Sequence, residues 1–492
     1  MQKTEHGNHG KPDLVIRGGT VATAGGISRC DVGISGGRIV ALAENLTAGT
    51  TEIDAAGHLV LPGGIDAHCH LDQPQAEGLA SGGAVMADGF ESGSRSAAFG
   101  GTTTIIPFAV QHRGQSVRAA VADYHRRAAG QSHIDYAFHL IVSDPTNAVL
   151  GQELPALVAA GHTSIKVYMT YAAMVLSDRQ ILDVLARARE LDALVMIHAE
   201  NFECLSWLTE RLEAAGKTEP KYHATSRPGV VEREATHRAI SLAEIADVPI
   251  LIVHVSGQEA ADEIRRARAK GVNILAETCP QYLMLTEADL DMPDFEGAKA
   301  MCSPPPRDEA SQEVLWQGLK DGLFDILSSD HAPYRFDDDG KKRFGTDAPF
   351  AKVANGMPGL ETRAPILFSE GVIAGRISLE RFVELNSTNA ARIYGLYPRK
   401  GTIAVGSDAD IAIWDPEKRV VIENNMLHHN VDYTPFEGMS VQGWPMTVLS
   451  RGKVICENGE LRSGTDHGQF LECGPPGPVQ PMVPDGDTRR WA

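Results

Sequence analysis

Through the middle of the chain, short apolar runs alternate with longer stretches at helical spacing. Eight runs read as strands, centred on Leu61, Thr104, His139, Ile165, Val195, Ile252, Ile274 and Ile326. Between them, residues 117–129, 178–191 and 258–269 place apolar side chains at intervals of three and four, as a helix with one buried face does. Eight strand–helix units predict a parallel (β/α)8 TIM-like barrel, whose chemistry sits at the C-terminal ends of its strands. The two chain ends read differently. Asp13 to Gly19, Asp31 to Leu42, Gly401 to Trp414 and Val448 to Ile455 are short strands broken by glycine turns, and residues 31–42 form a hairpin. They predict a small β-sandwich domain assembled from both ends. The expected division is 1–58 and 396–464 for the sandwich, 59–395 for the barrel, and 465–492 for an extended Pro/Gly-rich tail that either packs on a neighbouring subunit or is disordered.

A chain of 492 residues accommodates one barrel and a smaller domain. The formal net charge of -19 argues against nucleic acid and anionic membranes, since an acidic surface repels phosphate. The seven cysteines are scattered with no CxxC pair, which fits free thiols in a reducing compartment. The first residues lack an apolar signal segment, and no apolar run is long enough for a bilayer. A cytoplasmic protein is expected.

Candidate chemistry begins with His68 and His70. At i and i+2 of an extended strand both imidazoles point to one side and can share a metal ion. Taken alone, the pair also fits a buried structural role. Later strands add Lys166 after Ile165, His198 after Ile197, His254 after Val253, and Asp330 after Ser329. All fall where a barrel places its active site. Imidazoles and a carboxylate suit zinc or a similar divalent ion. Lys166 is the odd member, because a buried ammonium beside metal ions is costly.

His68-Cys69-His70, Lys166, His198, His254 and Asp330, in this order, resemble the amidohydrolase superfamily. Phe90-Glu91-Ser92-Gly93-Ser94-Arg95, Lys166-Val167-Tyr168-Met169-Thr170-Tyr171, His198-Ala199-Glu200-Asn201, Glu277-Thr278-Cys279-Pro280-Gln281-Tyr282 and Ser329-Asp330-His331-Ala332-Pro333 narrow this to the dihydropyrimidinase/hydantoinase family. The resemblance implies two divalent ions, zinc by default with manganese or cobalt possible. It places His68, His70, Lys166 and Asp330 on the first ion, and Lys166, His198 and His254 on the second. It implies that Lys166 is modified by CO2 to N6-carboxylysine, that Asp330 moves the proton, and that Tyr171 holds the developing oxyanion. Ser303 and Asn355 match positions that bind the ring. The implied activity opens a ring amide of hydantoins or dihydropyrimidines to N-carbamoyl amino acids, in a homo-oligomer with a tetramer favoured.

A cyclic imide hydrolase or an allantoinase-like enzyme would share this mechanism, and a catalytically dead scaffold is a further reading that the complete ligand set opposes. Asp72 stands where dihydroorotases carry an arginine, so a neutral ureide or imide is expected. Gln73, Pro107 and the segment 75–83 depart from the family pattern near the exocyclic substituent. His428 and His429 read as surface or packing residues, His331 as orienting its neighbours, Cys279 and Cys302 as small buried residues, and Asp337-Asp338-Asp339 as a solvated loop.

Overall fold

The computed structural model describes residues 11–73 and 83–477. Eight parallel strands form the barrel: Gly64–Cys69, Thr102–Val110, a third broken into Asp135–Tyr136 and His139–Ile141, Ser164–Tyr168, Leu194–His198, Ile250–Ile252, Ile274–Thr278 and Ile326–Leu327. The last meets the first through a parallel bridge between Cys69 and His331. Side chains alternate across the wall as a strand demands. Val195 and Ile197 pack outward with helix residues such as Ile181 and Leu185. Leu194 and Met196 point into the barrel beside Ile65, Phe108, Tyr168 and Leu251.

Helices Val117–Ala128, Asp178–Glu190 and Gln258–Ala269 lie where their apolar spacing predicts them. The second begins with a reciprocal capping box between Ser177 and Gln180, which satisfies two otherwise orphaned main-chain donors.

Both chain ends build the smaller domain. One sheet joins Arg38–Ala43, Asp31–Ser35, Leu14–Arg17 and Thr51–Asp54; the other runs from Glu460–Leu461 through Lys453–Glu457, Ser440–Ser450, Ile411–Val421, Leu59–Pro62 and Thr20–Thr23 to Gly26–Arg29. Their facing side chains, among them Ile16, Ile34, Val60, Ile411 and Leu449, form one buried cluster. The expected hairpin turns at Gly36 and Gly37, whose φ values of 57° and 77° suit a tight two-residue connection.

Two expectations need correction. Leu59–Pro62 is not a barrel strand: it pairs antiparallel with Ile411–Val421 and parallel with Thr20–Thr23. The first barrel strand starts two residues later, and an apolar run alone does not tell which of two adjoining sheets it joins. The tail, through residue 477, packs on its own barrel. Tyr136 N donates to Gln469 O (3.0 Å), Leu471 N to Tyr136 O (2.7 Å) and Cys473 N to Gly161 O (2.9 Å). Phe470 sits among His125, Tyr136, Phe138 and His162. The third strand's open backbone and this aromatic recess give the tail partners within its own chain. Segment 74–82 and the tail from 478 lie outside the described residues. Among those described, no helix is long and apolar enough to cross a membrane.

Lys400 joins the two domains. It is buried, with Nζ 2.6 Å from Asp135 on the third barrel strand, 2.5 Å from Asp410 and 3.2 Å from Asp408 at the return into the sandwich. Replacing it by methionine removes the cation between three buried carboxylates: Arg451 and Arg399 still reach Asp135 and Asp408, while Asp410 keeps a main-chain donor but, among the described residues, no ion-pair partner. Lys400→Met is therefore expected to cost about 3–5 kcal/mol of stability. Denaturant unfolding indistinguishable from wild type would contradict this.

Candidate metal centre

The barrel aims its ligands partly by alternation and partly by breaking it. In Ser164–Tyr168 the outward residues are Ile165 and Val167, so Lys166 points inward. In Leu194–His198 the same parity turns His198 inward. The first strand starts with Ile65 and Ala67 inside but has Cys69 and Leu71 outside. A register shift between Asp66 and Cys69 inserts an extra residue, and this bulge swings His68 and His70 to the interior. On the sixth strand Ile250 and Ile252 face outward, so strict alternation would send His254 outward too. Its φ of 38° redirects the chain, and the imidazole reaches the central pocket. Tyr171 (φ 62°) and Asp330 (φ 49°) share this left-handed backbone, which non-glycine residues adopt only where the surrounding structure imposes it.

The donors converge. Asp330 Oδ1 lies 3.3 Å from Nε2 of His68 and 3.3 Å from Nε2 of His70. Donor atoms of His68, His254 and Asp330 all lie within 4.8 Å of one another. The rings of His198 and His254 are 4.3 Å apart, and Tyr171 stands 5.4 Å from His198. Ligands about 2.0–2.1 Å from a tetrahedral zinc stand roughly 3.3 Å from each other, the spacing found around Asp330. Lys166 Nζ is fully buried without a hydrogen-bond partner, over the rings of Phe108 and Tyr168 at 5.3 Å each. His254 Nδ1 is buried and unpartnered as well. Orphaned polar atoms of this kind are expensive unless something in the site engages them. The donor set fits a metal centre.

Two carboxylates not anticipated from the sequence orient the imidazoles. Glu277 Oε1 accepts from His68 Nδ1 (2.6 Å) and from the main-chain N of His254 (3.1 Å). Glu200 Oε2 lies 2.7 Å from His198 Nε2, and Arg227 Nη1 donates to it at 2.9 Å. Each bond fixes a tautomer and leaves the opposite ring nitrogen for a metal. The available signals were an acid on an apolar strand (Glu277) and an acid two residues beyond a histidine (Glu200).

Burial sets the charges. It holds His68 and His254 well below the usual histidine range, so both stay neutral donors. It lowers Lys166 to about 8 and raises Glu277 to about 8. Burial also pushes the Asp330 carboxyl up, but His68, His70 and Lys166 outweigh it and bring it below the ordinary value. The Tyr171 hydroxyl is raised by burial, against the pull of Arg227, and stays protonated.

One pocket contains these groups. His68, His70, Tyr171, His198, His254, Ser303, Asp330, Asn355 and Gly356 line it together with Gln73, Met86, Val110, Ile141 and Met174. No lysine or arginine is among its described lining residues. Asp72 is absent too: its Oδ2 accepts from Phe90 N (2.8 Å) at the start of helix Phe90–Phe99, so it caps a helix and does not face the pocket. Lys166 lies just behind the lining. Of the other residues singled out, His331 bonds Asp88 (3.1 Å), and His428 bonds Glu361 (2.9 Å) and stacks on Phe99. Cys279 and Cys302 are buried free thiols.

Known proteins are similar to this chain in sequence and fold. The amidohydrolase family model matches residues 59–455. The chain is 47% identical to a D-hydantoinase of Rhizobium radiobacter over 459 residues, which are 93% of this chain and 98% of that protein. The solved dihydropyrimidinase of Brevibacillus agri superposes with a TM-score of 0.91 at 46% identity, covering 94% of this chain and 99% of that one. The solved L-hydantoinase of Arthrobacter aurescens superposes with a TM-score of 0.84 at 29% identity, over 94% and 99% of the two chains. With a matching family model over most of its length and the same fold, this chain belongs to the amidohydrolase family.

Proposed function

We propose that this protein is a dinuclear metal-dependent cyclic amidohydrolase that opens the ring amide of a neutral hydantoin or dihydropyrimidine to an N-carbamoyl amino acid. The observation that carries this reading is the buried convergence of His68, His70, His254 and Asp330 in a pocket whose described lining has no cationic side chain. Relatives named hydantoinase and dihydropyrimidinase support the substrate class. The closer likeness to a D- than to an L-hydantoinase favours the D enantiomer.

His68, His70, Lys166 and Asp330 would hold one ion, and Lys166, His198 and His254 the other, with zinc favoured by ligand type. Two bound ions supply a water of lowered pKa and polarise the scissile carbonyl. The Lys166 ammonium would first lose one proton; the neutral amine would then add to CO2 and release a second proton to solvent, leaving an anionic carbamate in place of a buried cation. Asp330 accepts the proton of the attacking water and returns it to the leaving ring nitrogen, a poor leaving group without it. The protonated Tyr171 hydroxyl donates to the carbonyl oxygen as negative charge develops there. Ser303 and Asn355 hold the ring against this wall. A cytoplasmic homotetramer completes the reading.

A ring-opening panel on metal-loaded protein tests it: hydantoin, a 5-aryl hydantoin, dihydrouracil, succinimide, phthalimide, allantoin and dihydroorotate. Hydantoins or dihydrouracil are expected to turn over and dihydroorotate to be refused. Turnover of imides alone would transfer the protein to imide hydrolysis. Lys166→Ala should reduce ring opening to background and lower the bound metal; full activity in that variant would sink the carbamate reading. Glu277→Gln should weaken metal retention by about 10–100-fold, because His68 loses its orienting carboxylate. Unchanged retention during chelator titration would show that Glu277 has no such part.

A further inference from the structure

Lys341 is a buried cation that the chemistry above does not use. It is 2% exposed, and among the described residues no carboxylate touches it. Its Nζ donates to two main-chain carbonyls, Met301 O at 3.2 Å and Ala354 O at 2.8 Å. Met301 lies two residues before Ser303, and Ala354 immediately before Asn355. Gly356 N also donates to Met301 O (2.9 Å), so the two pocket segments are tied at one point by main chain and lysine together. Ser303, Asn355 and Gly356 all face the pocket, while Lys341 stands behind them.

Burial lowers Lys341 to about 7. A neutral amine has two N–H donors, and two acceptors are present; among the described residues a third donor of an ammonium would find no acceptor. A lysine whose only task was to fill this space would be replaceable by an apolar side chain of similar volume. This one instead bridges the two pocket-lining segments beside their main-chain bond.

We propose that Lys341 is a positioning residue for the ring: by joining Met301 O to Ala354 O it sets the distance between the Ser303 and Asn355 segments, and so the ring size the pocket accepts. The proposal rests on the reading that those segments hold a cyclic amide. Small displacements of positioning groups cost large factors in rate, up to about a hundredfold per ångström.

The test uses full-length, metal-loaded wild type, Lys341→Met and Lys341→Gln, with hydantoin and dihydrouracil as substrates. Lys341→Met removes both donors. It is expected to keep its metal content, to raise KM about tenfold or more with a smaller fall in kcat, and to change the ratio of kcat/KM between five- and six-membered rings. A merely structural role would lower both rings alike. Lys341→Gln has a shorter stem that draws its donors toward the main chain, and it too should shift the ring ratio. In whichever variant folds, an unchanged KM and ring ratio beside an active wild type overturns the proposal alone. A wild type that opens neither ring overturns the reading of the site and the proposal with it.

Discussion

The barrel closes where its last strand meets its first, and this seam carries His68, His70 and Asp330. Asp330 N donates to His68 O (2.9 Å), His70 N to His331 O (2.7 Å), and Ser329 Oγ to His68 O (3.2 Å). Behind the seam, Asp66 Oδ1 accepts from the main-chain N of both His68 and Ser329 at 3.2 Å. Arg363 backs Asp66 at 3.4 Å and also reaches Leu327 O (2.8 Å) and Thr102 Oγ1 (3.1 Å). Each bond contributes about 1 kcal/mol net, and a buried group left unpaired costs about 1–3 kcal/mol. The spacing of His68, His70 and Asp330 therefore cannot relax without opening the barrel. Fold stability and ligand geometry are a single constraint here, which is how a site can hold strained backbone at Asp330 and His254.

This rigidity makes the electrostatics of the interior workable. The pocket floor concentrates imidazoles, a lysine and carboxylates away from water. Glu277 and Glu200 each hold a histidine by one nitrogen. Both acids are fully buried, and Arg227 balances only Glu200. Glu277, with burial raising it to about 8, has Lys166 as the counterweight. Lys166 in turn has no hydrogen-bond partner, so the balance is incomplete as it stands. A divalent cation at the convergent donors would supply positive charge beside these buried acids.

Much of this was legible in the chain because barrels write their parity into sequence. Outward Ile165, Val167, Val195 and Ile197 force Lys166 and His198 inward, and both were recoverable from alternation alone. His68 and His254 were not, in that sense: one depends on a bulge and the other on a left-handed residue, and neither leaves a mark in hydrophobic pattern. Their identity came from motif, not from periodicity. Leu59–Pro62 misled because the sandwich and the barrel use equally apolar strands. Glu200 and Glu277 escaped because a buried acid on a strand or just past its end is distinguishable from a solvated one only when its partner is known, and Glu277 meets a histidine 209 positions away. Lys341 was hidden for the same reason, its acceptors being carbonyls that every residue possesses.

The pocket also divides its labour in a way that bears on selectivity. Tyr171, Ser303 and Asn355 offer polar groups to the pocket, whereas Met86, Val110, Ile141 and Met174 line it with apolar side chains. Buried polar groups reject a ligand that leaves them unpaired far more strongly than an apolar wall rejects one methylene more or less, which is worth only about 1–3 kcal/mol. The ring should accordingly be read strictly and its substituent loosely. Asp72 belongs to neither group, since its carboxylate is spent on the helix beginning at Phe90. The expected refusal of an anionic ring then rests on the absence of a lysine or arginine from the described lining and not on repulsion by an acid.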